Sequence, residues 1–214
     1  IIWFKDCSYE NKNLVGGKNA SLGELYHLSK KLNFKIANGF AITTKVYQEF
    51  IDTNNIKDKI DSILEGVDVT DIEKLNQVSG EIKNMFLESK LSSERLQDIE
   101  INFNILKEFY VNDIQLAVRS SAIAEDLPNA SFAGQQDTYL NVTSLKELNI
   151  SIIKCFASLF NSRAISYRHT NNIKMEDVKL SVGIQKMVRS DIGSAGVAFS
   201  IDPESGYSKA IVIN

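Results

Sequence analysis

Two cationic side chains lie beside sequence features that suit phosphate binding. Arg119 ends the apolar stretch LAVR, and a stretch of small residues follows it. A guanidinium group is costly to desolvate, and it repays that cost best when a carboxylate or a phosphate accepts its fork of N–H donors. For an isolated arginine, an ion pair with an acidic side chain is the commoner use. Arg119 alone therefore leaves two uses open, a structural ion pair and an anion-binding site.

The residues after Arg119 favour the anion-binding interpretation. Short side chains over residues 120–134, beginning with Ser120 and ending with Gly134, would let backbone N–H groups approach an anion closely. A solvent-exposed connector is the alternative, although loops of this length are uncommon in compact domains and are often functional. Glu125 and Asp126 would repel a triphosphate, so we expect them to face solvent, a metal ion or a basic partner. The stretch predicts a lid that closes over phosphates.

Lys18 is the second candidate cation. Gly16, Gly17 and Lys18 precede a helical pattern, and the N–H groups and dipole at a helix N-terminus favour negative charge. The motif is not a P-loop, because Lys12 occupies the position of the first glycine and Asn19 replaces the serine or threonine after the lysine. Glycines before a helix more often form a turn than a ligand site. Lys18 therefore supports a phosphate-binding site only if Arg119 belongs to the same site.

The remaining polar candidates are weaker. Gln185, in the strand pattern VGIQKMV, could bind a base edge through its amide, although pairing with neighbouring backbone is commoner. His27 and His169 have no second imidazole or cysteine at ligand spacing, so we expect neither to bind a metal or act as a nucleophile. Cys7 and Cys155 show no C-x-x-C spacing, so we expect neither a disulfide nor a cysteine-based zinc site. The sequence predicts no metal site and no catalytic residue.

Composition narrows the functional class. The chain has 214 residues, 43% of them apolar and 24% charged, with a net charge of -3. These values are typical of a globular protein and exclude the broad cationic field of a nucleic-acid-binding or anionic-lipid-binding surface. No apolar run reaches the roughly 18 residues that a membrane span needs, and no signal-peptide pattern opens the chain. We expect a cytoplasmic protein with no nucleic-acid or membrane partner.

The hydrophobic period is helical in the first half of the chain. A leucine stripe on the first helix is predicted to face the core, and it comprises Leu22, Leu25, Leu28 and Leu32. Residues 40–43 predict a strand, followed by a helix with a threonine available as its N-cap. Thr70 and Glu73 match a capping box ahead of another helix, and the stretch SSERLQDIEINFNILKEFY predicts one more.

The second half alternates with a period of two. IQLAVRSS and DTYLNV predict strands on either side of the small-residue loop, and Ser144 with Glu147 predicts a capping box that opens a helix running to about Tyr167. Three strands then close the chain, the last of them, KAIVIN, read as buried. Because the chain begins with Ile1 and ends directly after this strand, we expect it to be a piece of a longer protein. The fold class predicted is α+β.

Five segments together resemble the N-terminal nucleotide-binding region of the phosphoenolpyruvate synthase family. They follow the family's order almost from end to end, and the long central segment is highly specific. They are LVGGKNASLGEL, GFAIT, AVRSSAIAEDLPNASFAGQQDTYLNV, CFASLFNSRAISYR and LSVGIQKMVRSDIGSAGVAFSIDPESG.

The resemblance implies an ATP-grasp-like fold in which ATP lies between two lobes. Residues 1–188 would form the N-terminal lobe, of helices and a mixed sheet, and residues 189–214 the beginning of the second lobe. In this family a histidine on a swivelling domain takes the β-phosphoryl group of ATP and delivers it to pyruvate on a barrel domain. Both domains are expected to lie outside this chain, as partners in the same polypeptide.

The resemblance also assigns site residues. The phosphate-binding lysine of the family corresponds to Lys18 and its triphosphate-binding arginine to Arg119, followed by Ser120. The loop glycine and the threonine after it correspond to Gly134 and Thr138, and the glutamine near the nucleotide to Gln185. The implied cofactors are ATP and Mg²⁺, and the metal ligands are expected beyond residue 214.

Two other functions remain open at this stage. The rifampicin phosphotransferase family has a similar ATP domain, and the acceptor would be decided by domains outside this chain. The chain could instead be a nucleotide-binding module without catalytic partners. The loop composition argues less well for pyruvate phosphate dikinase itself.

Overall fold

A computed structural model describes residues 1–111, 114–123, 126–127, 130–131, 137–171, 173 and 178–214. The helices in this part of the chain are α1 (Lys12–Leu32), α2 (Thr44–Thr53), α3 (Ile56–Leu64), α4 (Ile72–Glu88), α5 (Ser93–Phe109), α6 (Leu145–Ser158) and α7 (Ser162–Thr170). The strands are β1 (Ile2–Trp3), β2 (Gly39–Ile42), β3 (Leu116–Ala122), β4 (Asp126–Leu127), β5 (Ala130–Ser131), β6 (Thr138–Val142), β7 (Leu180–Lys186), β8 (Ala198–Phe199) and β9 (Val212–Ile213). The α+β prediction is confirmed.

Five strands form the central sheet in the order β1-β2-β7-β3-β6. Every neighbouring pair is antiparallel, so the expected mixed sheet is wrong in this respect. Strands β4 and β5 pair with each other, as do β8 and β9. The long strands β3 and β7 lie at the centre, and β3 carries Arg119.

Side chains of opposite character occupy the two faces of the sheet. Because directly opposed residues in an antiparallel pair share a face, Arg119 shares its face with Gly183 on β7 and Thr138 on β6. Their face carries mostly small or polar residues. The other face carries Val118 and Ile184, and it contributes to the main core cluster with buried residues from α2 to α7. Alternation along β3 therefore separates the polar face from the core, as the period of two predicts.

Helix α1 covers the small-residue face, but not with the residues that the leucine stripe predicted. Leu25 is 42% exposed and Leu32 is 68% exposed, and Leu28 is exposed as well. Leu22 alone of the stripe packs against a small cluster that includes Phe4, Val15 and Ala41. The helix instead buries small residues, because the sheet beneath it has short side chains and the two backbones approach closely. The buried positions on α1 are Val15, Gly16, Gly17, Asn19, Ala20 and Gly23.

Helix ends differ from the predictions at two points. The N-cap of α4 is Asp71, whose carboxylate accepts a hydrogen bond from the backbone N–H of Lys74 at 3.0 Å, so the capping box at Thr70 is wrong. Thr70 instead donates to the Asp68 carboxylate through its hydroxyl and its backbone N–H. Thr43 does occupy the N-cap of α2, without a capping hydrogen bond from its side chain.

The helix expected from Ser144 to about Tyr167 is two helices. The capping box of Ser144 and Glu147 is confirmed at the start of α6. The chain then leaves the helix at Ser158, and Asn161, in an extended conformation, is the N-cap of α7. Leu159 and Phe160 are buried at this turn, which explains why the apolar pattern continued across the break.

Residues beyond β7 are largely exposed. The prediction of a buried final strand is wrong for the described chain, because β9 is short and Ile213 is 75% exposed. Strand β9 pairs only with β8 in the described residues. A search of the described helices finds none with the length and apolarity needed to span a bilayer.

Two glycines in helix interiors test how closely α1 is packed. A Cβ atom on Gly23 would lie 2.0 Å from the backbone oxygen of Cys7, whereas a Cβ atom on Gly80 in α4 would meet nothing within 4 Å. We predict that Gly23→Ala lowers the free energy of unfolding by at least about 2 kcal/mol, because the backbones must separate. Gly80→Ala should raise it by about 0.5–1 kcal/mol through helix propensity.

Urea denaturation followed by circular dichroism measures both changes. The account of α1 packing is wrong if the two substitutions shift the unfolding free energy in the same direction by similar amounts.

Candidate functional site

The site begins at a kink inside α1. Gly16 has φ 75° and ψ 168°, which interrupts the helix, so the regular part of α1 starts at Gly17. A positive φ of this kind favours glycine. Lys18 lies in the first turn after the kink and is exposed. The predicted arrangement of two glycines and a lysine at a helix start is therefore present.

Asn19, the residue after Lys18, fastens this turn to the sheet. Asn19 is buried, and its backbone N–H donates to the Ser121 hydroxyl at 3.3 Å. Its side-chain amide donates to the Val15 carbonyl at 2.9 Å and to the Ser181 hydroxyl at 3.1 Å. Ser181 in turn donates to the Ile42 carbonyl at 2.7 Å. These bonds join α1 to β2, β3 and β7 in one buried polar network.

A glycine in β7 makes room for this contact. A Cβ atom on Gly183 would lie 2.3 Å from the Asn19 side-chain oxygen. Glycine inside a strand often marks such a close approach. Gly183 is also directly opposite Arg119 in the sheet. The helix turn that carries Lys18 is therefore held over the cross-strand neighbour of Arg119.

Arg119 is exposed at the centre of β3. Its side chain makes neither a hydrogen bond nor an ion pair with the residues that the structure describes. The structural ion pair left open by the sequence does not occur within that part of the chain. An exposed guanidinium beside a lysine-bearing helix start can donate hydrogen bonds to a polyanion without first losing a partner among those residues.

Thr138 and Asp137 lie next to Arg119. Thr138 is directly opposite Arg119 in β6, and its side chain is exposed. The preceding Asp137 accepts a hydrogen bond from the Tyr139 hydroxyl at 3.1 Å. Burial and the nearby Asp137 carboxylate raise the pKa of Tyr139, so Tyr139 stays protonated and remains a donor to this carboxylate. A threonine hydroxyl beside the arginine adds a neutral hydrogen-bonding group to the site.

The charges of Lys18 and Asp137 both act on a thiol beneath β3. Cys155 is buried, and its sulfur lies 3.9 Å from the carbonyl oxygen of Val118, the residue before Arg119. Burial raises the pKa of this thiol, Asp137 raises it further, and Lys18 opposes the rise. Lys18 and Asp137 thus act on the same central part of β3, while Cys155 itself remains an unreactive thiol.

Gln185 lies on the same face, farther along β7. Its side-chain amide donates to the Ala37 carbonyl at 3.0 Å, the pairing with neighbouring backbone that was the commoner alternative. Gln185 is directly opposite Ala117, two residues before Arg119 in β3. It shares the face of Arg119, with one of its two amide N–H donors already used.

The structure does not place the predicted site residues Ser120 and Gly134 beside Arg119. Ser120 is buried, and alternation places its side chain on the face opposite Arg119, where its hydroxyl donates to the Asp137 carbonyl at 3.4 Å. Ser121, which the sequence reading treated as one small residue among many, is the serine that contacts α1. Gly134, Glu125 and other parts of the predicted lid lie outside the described residues.

Sequence reasoning missed the residues that assemble the site. Asn19, Ser181 and Gly183 touch each other without being candidates for chemistry themselves. The signals available were a glycine inside an apolar strand and a run of small residues at the start of a helix whose leucines lay elsewhere. Both signals indicate close backbone approach rather than a ligand.

Comparison with known proteins identifies the family of this chain. Residues 12–214 match the family described as the pyruvate phosphate dikinase AMP/ATP-binding domain. The phosphoenolpyruvate synthase of Helicobacter pylori is 46% identical over 214 residues, which cover all of this chain and 26% of that protein. Those of Aquifex aeolicus and Escherichia coli are 42% and 38% identical over all of this chain, which spans 25% and 27% of their lengths.

The chain thus spans about a quarter of the length of these relatives. The resemblance to phosphoenolpyruvate synthases is confirmed over the whole chain, including the helical stretch where motifs are sparse. The glycines, Lys18 and Arg119 all fall within the matched region. The chain belongs to the family of pyruvate phosphate dikinase AMP/ATP-binding domains.

Proposed function

We propose that this chain is the ATP-binding part of a phosphoenolpyruvate synthase. The observation that carries the proposal is the contact between Asn19 and Gly183, since it holds the turn of Lys18 over the strand position next to Arg119. The names of the relatives supply the acceptor, because each relative cited above is a phosphoenolpyruvate synthase.

The proposed reaction converts ATP, pyruvate and water into phosphoenolpyruvate, AMP and phosphate. The β-phosphoryl group passes first to a histidine on a swivelling domain and then to pyruvate on a barrel domain. In this proposal both domains belong to the remainder of the full-length protein. In this proposal the chain holds ATP, and the histidine that accepts the phosphoryl group belongs to the remainder of the full-length protein.

Lys18 and Arg119 carry the electrostatic part of the mechanism. Phosphoryl transfer asks a protein mainly to position the reactants and to neutralise developing charge. An ammonium group on a helix start and a guanidinium group on a strand approach a triphosphate from two elements. Because β3 lies between two neighbouring strands, the backbone of Arg119 is already ordered. ATP binding therefore costs little further conformational entropy at this residue.

The positions of four further residues determine which contact each one is proposed to make with ATP. Thr138 donates its hydroxyl to a phosphate beside Arg119, and Gly134 lets the lid backbone come close to the phosphates. Gln185 offers its amide oxygen and its second amide N–H to the base, since one N–H already binds the Ala37 carbonyl. Ser120 enters only through its backbone, because its side chain belongs to the opposite face.

Mg²⁺ is proposed to bind with the phosphates of ATP. In the described residues no group of three or more acidic, histidine or cysteine side chains could hold the ion. The proposal therefore assigns the metal ligands to the part of the full-length protein that this chain does not span. When bound, the ion would neutralise phosphate oxygens that Lys18 and Arg119 leave uncovered.

We further propose an ATP-grasp-like arrangement, with residues 1–188 as the N-terminal lobe and residues 189–214 as the start of a second lobe. The change from a buried central strand, β7, to a largely exposed segment after it supports a boundary near Val188. Because ATP and pyruvate are soluble metabolites, the proposed compartment is the cytoplasm.

The Arg119→Ala substitution tests the role of Arg119 in the full-length protein. Since Arg119 is exposed and has no partner in the described residues, the variant should fold normally. We predict that ATP-dependent formation of phosphohistidine falls by a factor of at least about 100, because one preorganised cation of the phosphate site is lost.

Arg163→Ala is the matched control, because Arg163 is an exposed arginine on α7, on the other side of the sheet. It should retain wild-type phosphorylation. Wild-type turnover by Arg119→Ala at saturating ATP would remove Arg119 from the site.

Calorimetry of the isolated chain tests how much of the ATP site it contains. We predict weak or undetectable ATP binding, because the chain spans about a quarter of the relatives' length and lacks the second lobe proposed to complete the cleft. A dissociation constant below about 1 µM, or about -8 kcal/mol of binding free energy, would contradict this division of the site.

A further inference from the structure

A buried arginine on α7 belongs to no part of the proposed ATP site. Arg168 is 6% exposed. Its Nη1 donates to the carbonyl oxygen of Leu159, at the C-terminus of α6, and its guanidinium carbon lies 5.0 Å from the centroid of the Phe160 ring. The helix dipole and the aromatic ring account for part of the stabilisation of this charge.

The guanidinium still has donors without acceptors. Nη2 of Arg168 is buried and has no acceptor in the described residues, and the Tyr47 hydroxyl is buried without a partner there as well. No carboxylate in that part of the chain forms an ion pair with Arg168. Burial lowers the pKa of Arg168 to about 10, while Tyr47 opposes the change, so Arg168 remains charged at neutral pH. A buried cation without an anionic partner is costly and uncommon.

Arg168 also lines a small pocket. The pocket has a volume of about 180 Å³. Arg168 and His169 form its polar side, and the remaining wall is aliphatic, comprising Leu64, Val67, Val69, Ile165 and Ile173. A cavity of this kind suits a ligand with one anionic end and a compact apolar body.

Asp68, an acidic side chain next to the pocket-lining Val67 and Val69, is already engaged. Asp68 lies between Val67 and Val69, and its carboxylate accepts hydrogen bonds from the backbone N–H and the hydroxyl of Thr70. These bonds lower the pKa of Asp68, and the charge of His169 lowers it further. The Asp68 carboxylate is therefore hydrogen-bonded by Thr70, whereas no carboxylate in the described residues pairs with Arg168.

We propose that this pocket binds a small aliphatic monocarboxylate whose carboxylate accepts hydrogen bonds from the Arg168 guanidinium. The carbon chain packs against the aliphatic wall. A second carboxylate on the ligand would face that wall and lose its hydration, which excludes dicarboxylates of the same size. Nothing in the proposed ATP mechanism requires this site.

The pocket is separate from the phosphate-binding face. Helix α7 packs in the main core cluster through Ile165, and that cluster lies against the face of the sheet opposite Arg119. A ligand here would act from the far side of the sheet, as an effector rather than a substrate. The two proposals can therefore fail independently.

Binding of isovalerate to the full-length protein tests the proposal, with isovaleramide as the neutral ligand of the same shape. Saturation-transfer NMR and calorimetry should give a dissociation constant on the order of 1 mM for isovalerate, given its small number of atoms. Arg168→Met should weaken binding at least about tenfold, because the charge-assisted hydrogen bonds are lost. Isovaleramide should bind at least about tenfold more weakly than isovalerate to the wild type.

Two further variants keep the test decisive. Val67→Phe fills the pocket and leaves Arg168 in place, so it should abolish binding even if Arg168→Met fails to fold. Arg163→Met removes an exposed arginine from the same helix and should leave binding unchanged. The proposal is overturned if isovalerate fails to bind, if Val67→Phe binds it like the wild type, or if Arg163→Met weakens binding as much as Arg168→Met.

Discussion

The close approach of α1 to the sheet is the constraint on which the site depends. Asn19 is buried in this contact, and its side chain and backbone bind groups on the helix itself and on two strands. Gly183 leaves the space that the Asn19 side chain occupies. A larger residue at either position would push the helix away, and Lys18 would move with it. The location of a surface cation is thus determined by buried small residues.

This constraint explains the opposite character of the two sheet faces. Helices α2 to α7 cover one face with large apolar side chains, as the main core cluster demonstrates. The other face has short side chains under α1, and it leaves Arg119 and Thr138 exposed beside the helix. Because the apolar face provides most of the buried core, the polar face is free to carry charge without loss of stability. The division follows from alternation along β3 and β7.

Sequence patterns predicted the local elements well where one period or one cap dominated. Strands β2, β3, β6 and β7 and the capping box at Ser144 were predicted because the local signal agreed with the final packing. The prediction that the leucine stripe of α1 faces the core was wrong. Helical periodicity shows where the apolar residues of a helix lie, but it does not show that the surface packed against the helix consists of small residues. The break at Asn161 was hidden because Leu159 and Phe160 remain buried across the turn. Arg119 and Lys18 could be proposed as site residues from their chemistry alone. Asn19 and Gly183 depend on a contact between distant parts of the chain that no local pattern contains.

The central claim is that Lys18 and Arg119 act together on the polyphosphate of a nucleotide. The most direct measurement compares the affinities of the full-length protein for ATP and for adenosine in Lys18→Met, Arg119→Met and the double variant. If the claim holds, each single variant weakens ATP binding by at least about tenfold, the double variant departs from additivity, and adenosine binding stays at the wild-type value. Equal losses for ATP and adenosine, or no loss of ATP affinity in either single variant, would contradict it.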